Sequence, residues 1–406
     1  MGNQSQSNRI APLRIENGRV LVGDRFGDAP VDIEADGLIG CADADDPMRR
    51  LDAEGLLVLP GIVDIHGDAF ERQMMPRAGV HFPIDTALLE SDRQAVANGI
   101  TTVFHGVTWS WEGGLRGADN ARAILAAIEG LRSAFTADTR LHLRHEIYNL
   151  DAEEEIISWL TAGRIAALAF NDHMPLVKAA LKRSKSLERM IERSGLAREA
   201  FIQVAQLVSR RGDEVPLSIA RLAAAAGAHR VPLISHDDAS PEQRRWFRSL
   251  GCRIAEFPTT VATAEEATAA GDAVVLGAPN VVRGGSHVGW IDATDMIARG
   301  QCSVLTSDYY YPAPLLAPFR LAAMEVLPLG QAWALVSDKP AQAVGLHDRG
   351  RIAAGRRADL VLVDASSTLQ PRVVASIVAG RIVQLNEVDR LVAAQQSAAV
   401  RAVTIP

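Results

Sequence analysis

Eight short apolar runs recur through the middle of this chain, most of them separated by Ala-rich helical stretches: LPGIVDIH (59–66), GITTVFHG (99–106), RLHLRHEIY (140–148), IAALAFNDH (165–173), VPLISHDD (231–238), CRIAEFP (252–258), AVVLGAPN (273–280) and CSVLTSDYY (302–310). Strands joined through helices must pair in parallel, and eight βα units are the number that closes a (β/α)₈ barrel. An open doubly wound sheet is the competing architecture. Its usual nucleotide motifs are excluded, because no two glycines are separated by one residue and no Gly-Lys pair occurs.

The two ends read differently. Residues 13–59 show short alternating strands with turn signals at Asn17-Gly18 and Asp36-Gly37, and the same texture returns from Arg349 in RGRIAAGRRADLVLVD and VVASIVAGRIVQ. The expected organisation is therefore a small β-domain built from both ends, 8–57 and 348–390, around a barrel at 58–347, with a C-terminal helix or tail at 391–406. Ser240-Pro241 reads as a helix start before EQRRWFRSLG, and Gly99 as the stop of a helix beginning near Asp85. Met174 to Asp213 exceeds one crossover helix and predicts a helical insertion after the fourth strand.

Charge and cysteine content narrow the function classes. Lys plus Arg number 42 against 49 Asp plus Glu, a net charge of −7, which argues against a nucleic-acid binder or a protein held on anionic membrane by bulk charge. No apolar run approaches the roughly 20 residues of a membrane span, and the polar segment Met1 to Ser7 lacks a signal-peptide core, so a cytoplasmic location is expected. Cys41, Cys252 and Cys302 form no CxxC pair and are expected to pack as small apolar residues.

Strand ends carry the chemistry. His66, His173 and His236 each end a candidate strand with acidic neighbours, and Asp308 ends the eighth. The C-terminal ends of barrel strands are where such sites are built. His66 and Asp68 are two residues apart, so an extended segment can aim both at one ion. Imidazole with carboxylate suits Zn²⁺, with Mn²⁺ or a related divalent ion as the alternative, in one or two copies. A carboxylated lysine bridging two ions is excluded, since Lys178, Lys182, Lys185 and Lys339 all lie away from strand ends; Glu146 is the expected substitute, with an ion pair to Arg144 as its competing reading. Alternation turns His145 away from Glu146, so His145 is read as structural, as are His81, His142, His229 and His347, with His105 a weak candidate. Asp237 and Asp238 are read as substrate-facing groups and as substitute bases for Asp308, the expected catalytic base. RGGSHVG lacks the GxSxG spacing of a nucleophile elbow but suits an anion, through Arg283, the glycine amides, Ser286 and His287. Arg244, Arg245 and Arg248 are expected on a solvated helix face.

These pieces resemble a known family. LPGIVDIHGD, Asp308 and GRIAAGRRADLVLVD resemble the metal-dependent amidohydrolase superfamily. MPRAGVHFP, HLRHEI, NDHMP, SHDDAS, AEFPTT, GAPNVVRGGSH and SDYYYPAPL together resemble the PhnM family of phosphonate metabolism, in order from about Val58 to Asp364. The resemblance implies a diphosphatase releasing pyrophosphate from α-D-ribose 1-methylphosphonate 5-triphosphate. It implies metal ligands at His66, Asp68, Glu146, His173, His236 and Asp308, and substrate contacts from Arg77 and the Arg283 to His287 loop. The implied partner is a small phosphorylated sugar, with homo-oligomer formation left open. HGDAFERQ and the PLV after Asp172-His173 depart from the family pattern in loops that shape the pocket. Two rivals remain: a divergent hydrolase of a cyclic amide or N-acyl bond, and a non-catalytic scaffold subunit.

Overall fold

The computed structural model describes residues 10–40, 48–77, 79–181, 184–285, 289 and 291–392. Eight parallel strands follow one another in a single sheet: β1 (Ile62–Gly67), β2 (Ile100–Trp109), β3 (Asp138–Glu146), β4 (Ala167–Asn171), β5 (Leu233–His236), β6 (Ile254–Glu256), β7 (Ala273–Gly277) and β8 (Val304–Thr306). All ten residues of β2 are buried, as a strand covered on both faces requires. Val63, Phe104, Ala169, Ile234, Ile254, Val275 and Val304 share one apolar cluster drawn from seven of the eight strands.

The first and last strands meet at a seam made largely without a regular ladder. Asp308 N donates to His66 O (3.0 Å) and Asp68 N to Asp308 O (2.9 Å). Below that, the Asp64 carboxylate accepts from Ser307 N (2.9 Å) and Ser307 Oγ (2.6 Å). At the base, Leu335 and Val336 wedge between the strands, their carbonyls accepting from Leu305 N and Val63 N. A Cβ on Gly67 would lie 2.8 Å from Asp64 Oδ2 and 3.0 Å from Ser307 Oγ, so the closure itself demands glycine there.

Both chain ends build the small β-domain, as two sheets. One joins Arg25–Gly27, Arg19–Val22 and Leu57–Pro60 to Leu360–Asp364, Arg372–Val378 and Arg381–Leu385. The other joins Leu13–Glu16, Val31–Ile33, Ile39–Gly40 and Arg49–Asp52 to Leu391–Val392. The Asp36-Gly37 hairpin forms as expected. Asn17-Gly18 does not make one: Asn17 turns the chain at φ +64°, but its flanking strands enter different sheets. Gly18 is required by packing, since a Cβ would approach Ala53 Cβ to 2.7 Å. The expected C-terminal helix or tail begins instead as a strand at Leu391–Val392, and residues 393–406 lie outside the described residues.

The helical insertion forms from Met174–Ala180, Ser184–Ser194 and Arg198–Arg210. Ser240 caps Pro241–Ser249, its Oγ accepting from Gln243 N. Arg248 of that helix ties to Asp272 and Glu266, and Arg244 points inward and is fully buried. Cys252 and Cys302 are buried, and burial pushes both thiols up to about 12; Cys41 lies outside the described residues. Among the described residues no helix is long and apolar enough to cross a membrane.

Candidate metal centre

Strand alternation explains what converges at the C-terminal mouth of the barrel. On β3, His142, Arg144 and Glu146 share one face. His142 Nδ1 donates to Ile65 O at 3.1 Å and its ring meets His66 edge-on at 5.3 Å. Glu146 Oε1 holds His173 Nδ1 in a short contact, and His145 turns the other way, against Phe170. His66 and His236 stack at 5.6 Å between ring centroids.

Two ligand triplets result, each with its donor atoms within 4.8 Å of one another: His66, Asp68 and Asp308, and His173, His236 and Asp237. His173 Nε2 lies 3.4 Å from Asp237 Oδ2, and His236 Nε2 lies 3.5 Å from Asp237 Oδ1. Asp237, directly after β5, and Asp308, two residues after β8, have φ of +59° and +51°, backbone strain of the kind that gathers at functional sites.

Glu256, at the end of β6, was not anticipated from sequence. It is fully buried, with Oε2 accepting from His236 Nδ1 at 2.8 Å and Oε1 2.8 Å from His66 Nδ1. That second contact lies off hydrogen-bonding directions, leaving His66 Nδ1 and Glu256 Oε1 buried without a hydrogen-bond partner, as is His142 Nε2. His66, His142 and Glu256 form a third group of close donors. AEFP carries a carboxylate at a strand end, which was the available signal; no histidine beside it drew attention.

Arg144 has a part in the site that the sequence did not signal, and the competing reading of Glu146 finds no support. Arg144 makes no ion pair with Glu146 among the contacts described. Its guanidinium lies between the triplets, Nη1 3.4 Å from Asp68 Oδ2 and Nη2 donating to His236 Nε2 at 3.0 Å. His236 thus donates at Nδ1 and accepts at Nε2, as a neutral imidazole. Burial, then the charge of Arg144, keeps both His236 and His66 well below the usual imidazole range, His66 at about 3. His173 goes the other way: burial opposes its charged form, but Glu146 and Asp237 outweigh that and lift it to about 9. Burial, then repulsion from Asp68, pushes the Asp308 carboxyl up.

The remaining expected residues scatter. Asp238 is buried away from the triplets, its Oδ2 accepting from Ser235 Oγ (2.6 Å) and Arg244 Nη1 (3.2 Å). Arg244 also donates to Cys252 O and approaches Asp272, so the solvated reading of Arg244 and the substrate-facing reading of Asp238 are both corrected to an internal ion-pair network. Arg77 is exposed in the loop after Phe70–Met74. Arg283 is exposed and donates to the Tyr309 hydroxyl at 3.3 Å, beside Asp308. Ser286 and His287 lie outside the described residues.

The donor set suits a divalent cation. Asp68, Glu146, Asp237, Glu256 and Asp308 bring five carboxylates to one mouth, with the guanidinium of Arg144 between the two triplets. Neutral buried imidazoles supply nitrogen ligands, and the orphaned Nδ1 of His66 and Oε1 of Glu256 are groups whose burial without a partner costs about 1–3 kcal/mol each unless something binds them.

Known proteins agree with this architecture. Residues 84–384 match the model of the Amidohydrolase family. The chain is 36% identical over 325 residues to alpha-D-ribose 1-methylphosphonate 5-triphosphate diphosphatase of Escherichia coli (strain K12), covering 77% of this chain and 85% of that protein. It is 27% identical over 384 residues to adenine deaminase of Methylobacterium sp. (strain 4-46), covering 91% of this chain but only 58% of that longer protein. The fold is similar to that of dihydropyrimidinase from Brevibacillus agri NCHU1002, with TM-score 0.64, 14% identity, and 92% and 95% of the two chains covered. The chain therefore belongs to the amidohydrolase family of metal-dependent hydrolases, in the branch that includes the Escherichia coli diphosphatase.

Proposed function

We propose that this chain is a divalent-metal-dependent diphosphatase that releases pyrophosphate from α-D-ribose 1-methylphosphonate 5-triphosphate. The observation that carries the reading is its 36% identity to the Escherichia coli enzyme across most of both chains. His66, Asp68 and Asp308 would hold one ion, and His173, His236 and Asp237 a second, with Glu146 and Glu256 beside them. Zn²⁺ is our first assignment and Mn²⁺ the second, since the donors are nitrogen and oxygen without thiolate. A bound ion supplies Lewis-acid polarisation of a phosphoryl oxygen and lowers the pKa of water at the site.

The chain's own groups do the rest. Asp308 is assigned as the base: its carboxylate takes one proton as the water oxygen joins phosphorus and the α,β-anhydride bond breaks, the bond pair leaving on pyrophosphate. Arg144, held charged because Asp68 and Glu256 outweigh its burial, orients Asp68 and fixes the His236 tautomer. Arg283 beside Tyr309 is assigned to the rim, where it can meet substrate phosphate; Arg77, Ser286 and His287 keep that assignment only through family resemblance. The free, buried cysteines support a cytoplasmic setting.

The test is pyrophosphate release by Zn²⁺- or Mn²⁺-loaded protein from the ribose triphosphate, run beside hydantoin, N-acyl amino acid and adenine panels. Pyrophosphate release lost on chelation and restored by metal is the expected result. Turnover of a cyclic amide or adenine without pyrophosphate release would overturn it, and full metal content with no turnover would favour the scaffold reading.

A further inference from the structure

Beside Glu146 and His173 opens a cavity of about 140 Å³ that the metal ligands do not fill. Arg116, from the turn after β2, and Arg193, from the insertion helix Ser184–Ser194, line it together with Glu112 and Trp111. Arg193 Nη2 donates to Glu112 Oε2 at 2.7 Å, while the Nε atoms of both arginines are buried without a hydrogen-bond partner. A guanidinium offers five N–H donors, so each keeps most of its donor fork free of Glu112.

The pairing of the two arginines is built into the backbone. A Cβ on Gly114 would lie 2.3 Å from Arg193 O and 2.7 Å from Ser194 O, and Gly114 itself has φ +57°. Only glycine lets the insertion helix end press so closely on the turn that carries Arg116. The insertion is also anchored from the side, Trp111 meeting Phe201 at 5.8 Å and joining Met174, Val177 and Met190 in a small core of its own. Two like charges are thus forced together in a half-buried pocket. Burial, then Arg193, lowers the pKa of Arg116, with Glu71 and Glu112 offsetting part of that repulsion; an anion bound between the two arginines would relieve more of it.

We propose that Arg116 and Arg193 bind the terminal diphosphate of the substrate, the portion that leaves as pyrophosphate, and that the helical insertion exists to deliver Arg193 to it. This rests on the diphosphatase reading and names the residues that select a polyphosphate chain over a neutral amide at the same centre. Arginine's planar fork matches phosphate oxygens in pairs, and the cavity runs directly to Glu146 and His173, so a diphosphate held here lies alongside the reacting phosphorus. Neither Arg77 nor Arg283 lines this cavity.

The experiment titrates inorganic tripolyphosphate into metal-loaded and chelator-treated wild-type protein and into Arg116→Gln, Arg193→Gln and Arg193→Lys, with metal content and melting temperature recorded for each. Each Gln variant is expected to bind tripolyphosphate about 10- to 100-fold more weakly, in line with a lost charge-assisted contact. The Lys variant should lose less, and KM for the ribose triphosphate should rise more than kcat falls. Unchanged binding in both Gln variants would overturn the proposal, as would absence of tripolyphosphate binding by the wild type. An equal loss in Arg193→Lys with a lowered melting temperature would reduce Arg193 to a structural role and overturn it too. If tripolyphosphate binds through the arginines but the ribose triphosphate is not hydrolysed, the pocket stands and the functional reading falls; turnover indifferent to both arginines is the reverse.

Discussion

Replacing Glu256 by Gln removes one negative charge from a fully buried position while keeping the side chain's shape. The carboxylate touches two imidazoles at 2.8 Å each, so the amide must present its oxygen to one and its NH₂ to the other. Groups that orient metal-ligating histidines are commonly worth 10- to 100-fold in metal affinity, which corresponds to about 1.4–2.7 kcal/mol. By linkage that difference appears as lost stability of the metal-loaded protein at fixed metal concentration, a fall in melting temperature of roughly 2–3 °C for a chain of this size. The chelated protein should barely change, because Arg144 keeps Asp68, Glu71 and Asp237 as compensating charges and a buried carboxylate has been removed. The assay is calorimetric melting of both forms with metal titration. An equal melting loss in chelated and loaded protein, or an unaltered metal affinity, would refute the argument and leave Glu256 as a packing residue.

Asp308→Asn should lower kcat by at least about 10²-fold with metal still bound, the usual worth of a positioned base, as read by steady-state kinetics with metal analysis. Near-normal turnover would move the base to Asp237. A pH effect is expected far from the site, at Asp138: burial raises its carboxyl, but Arg140 and Arg349 outweigh that and hold it at about 2, below the ordinary 3.8. A carboxylate depressed in the folded state stabilises above its unfolded pKa and loses that stabilisation as pH falls toward the folded value. Asp138→Asn should therefore cost about 2 kcal/mol in denaturant titrations at pH 7 and progressively less between pH 4 and pH 2. A loss that is the same at both pH values would assign the effect to packing.

The barrel was legible because each strand-end motif is local: an apolar run, then His66, His173, His236 or Asp308 where the run stops. Alternation also placed His145 away from Glu146 correctly. What failed required knowledge across the barrel. Arg144 follows Leu143 and precedes His145, and nothing near it in sequence says that its charge lies between Asp68 and His236. Glu256 has no histidine for a neighbour in sequence but two in space. Arg244 sits in PEQRRWFRS, a segment so polar that its inward face must take an arginine; Asp238 and Asp272 make that tolerable, and neither is adjacent in the chain. Asn17-Gly18 has turn chemistry, but turn chemistry does not state whether the two strands it joins will pair.

The seam between β1 and β8 sets when the centre can come into being. Asp64 and Ser307 are separated by 243 positions, and the Gly67–Asp308 bridge joins the same distant stretches. Contacts of such separation are among the slowest to form, because a long loop must close before they offer any stabilisation. During synthesis, a nascent chain emerged only as far as β7 would carry His66, Asp68, Glu146, His173 and His236, yet lack the strand that completes the first triplet. Such a chain would hold a ring of buried imidazoles and carboxylates open to water until its final barrel strand arrived. Acquisition of the first ion is thereby tied to the end of barrel assembly, and a ribosome-bound fragment stalled before Val304, which already carries His173, His236 and Asp237, should bind fewer equivalents of metal than the released chain.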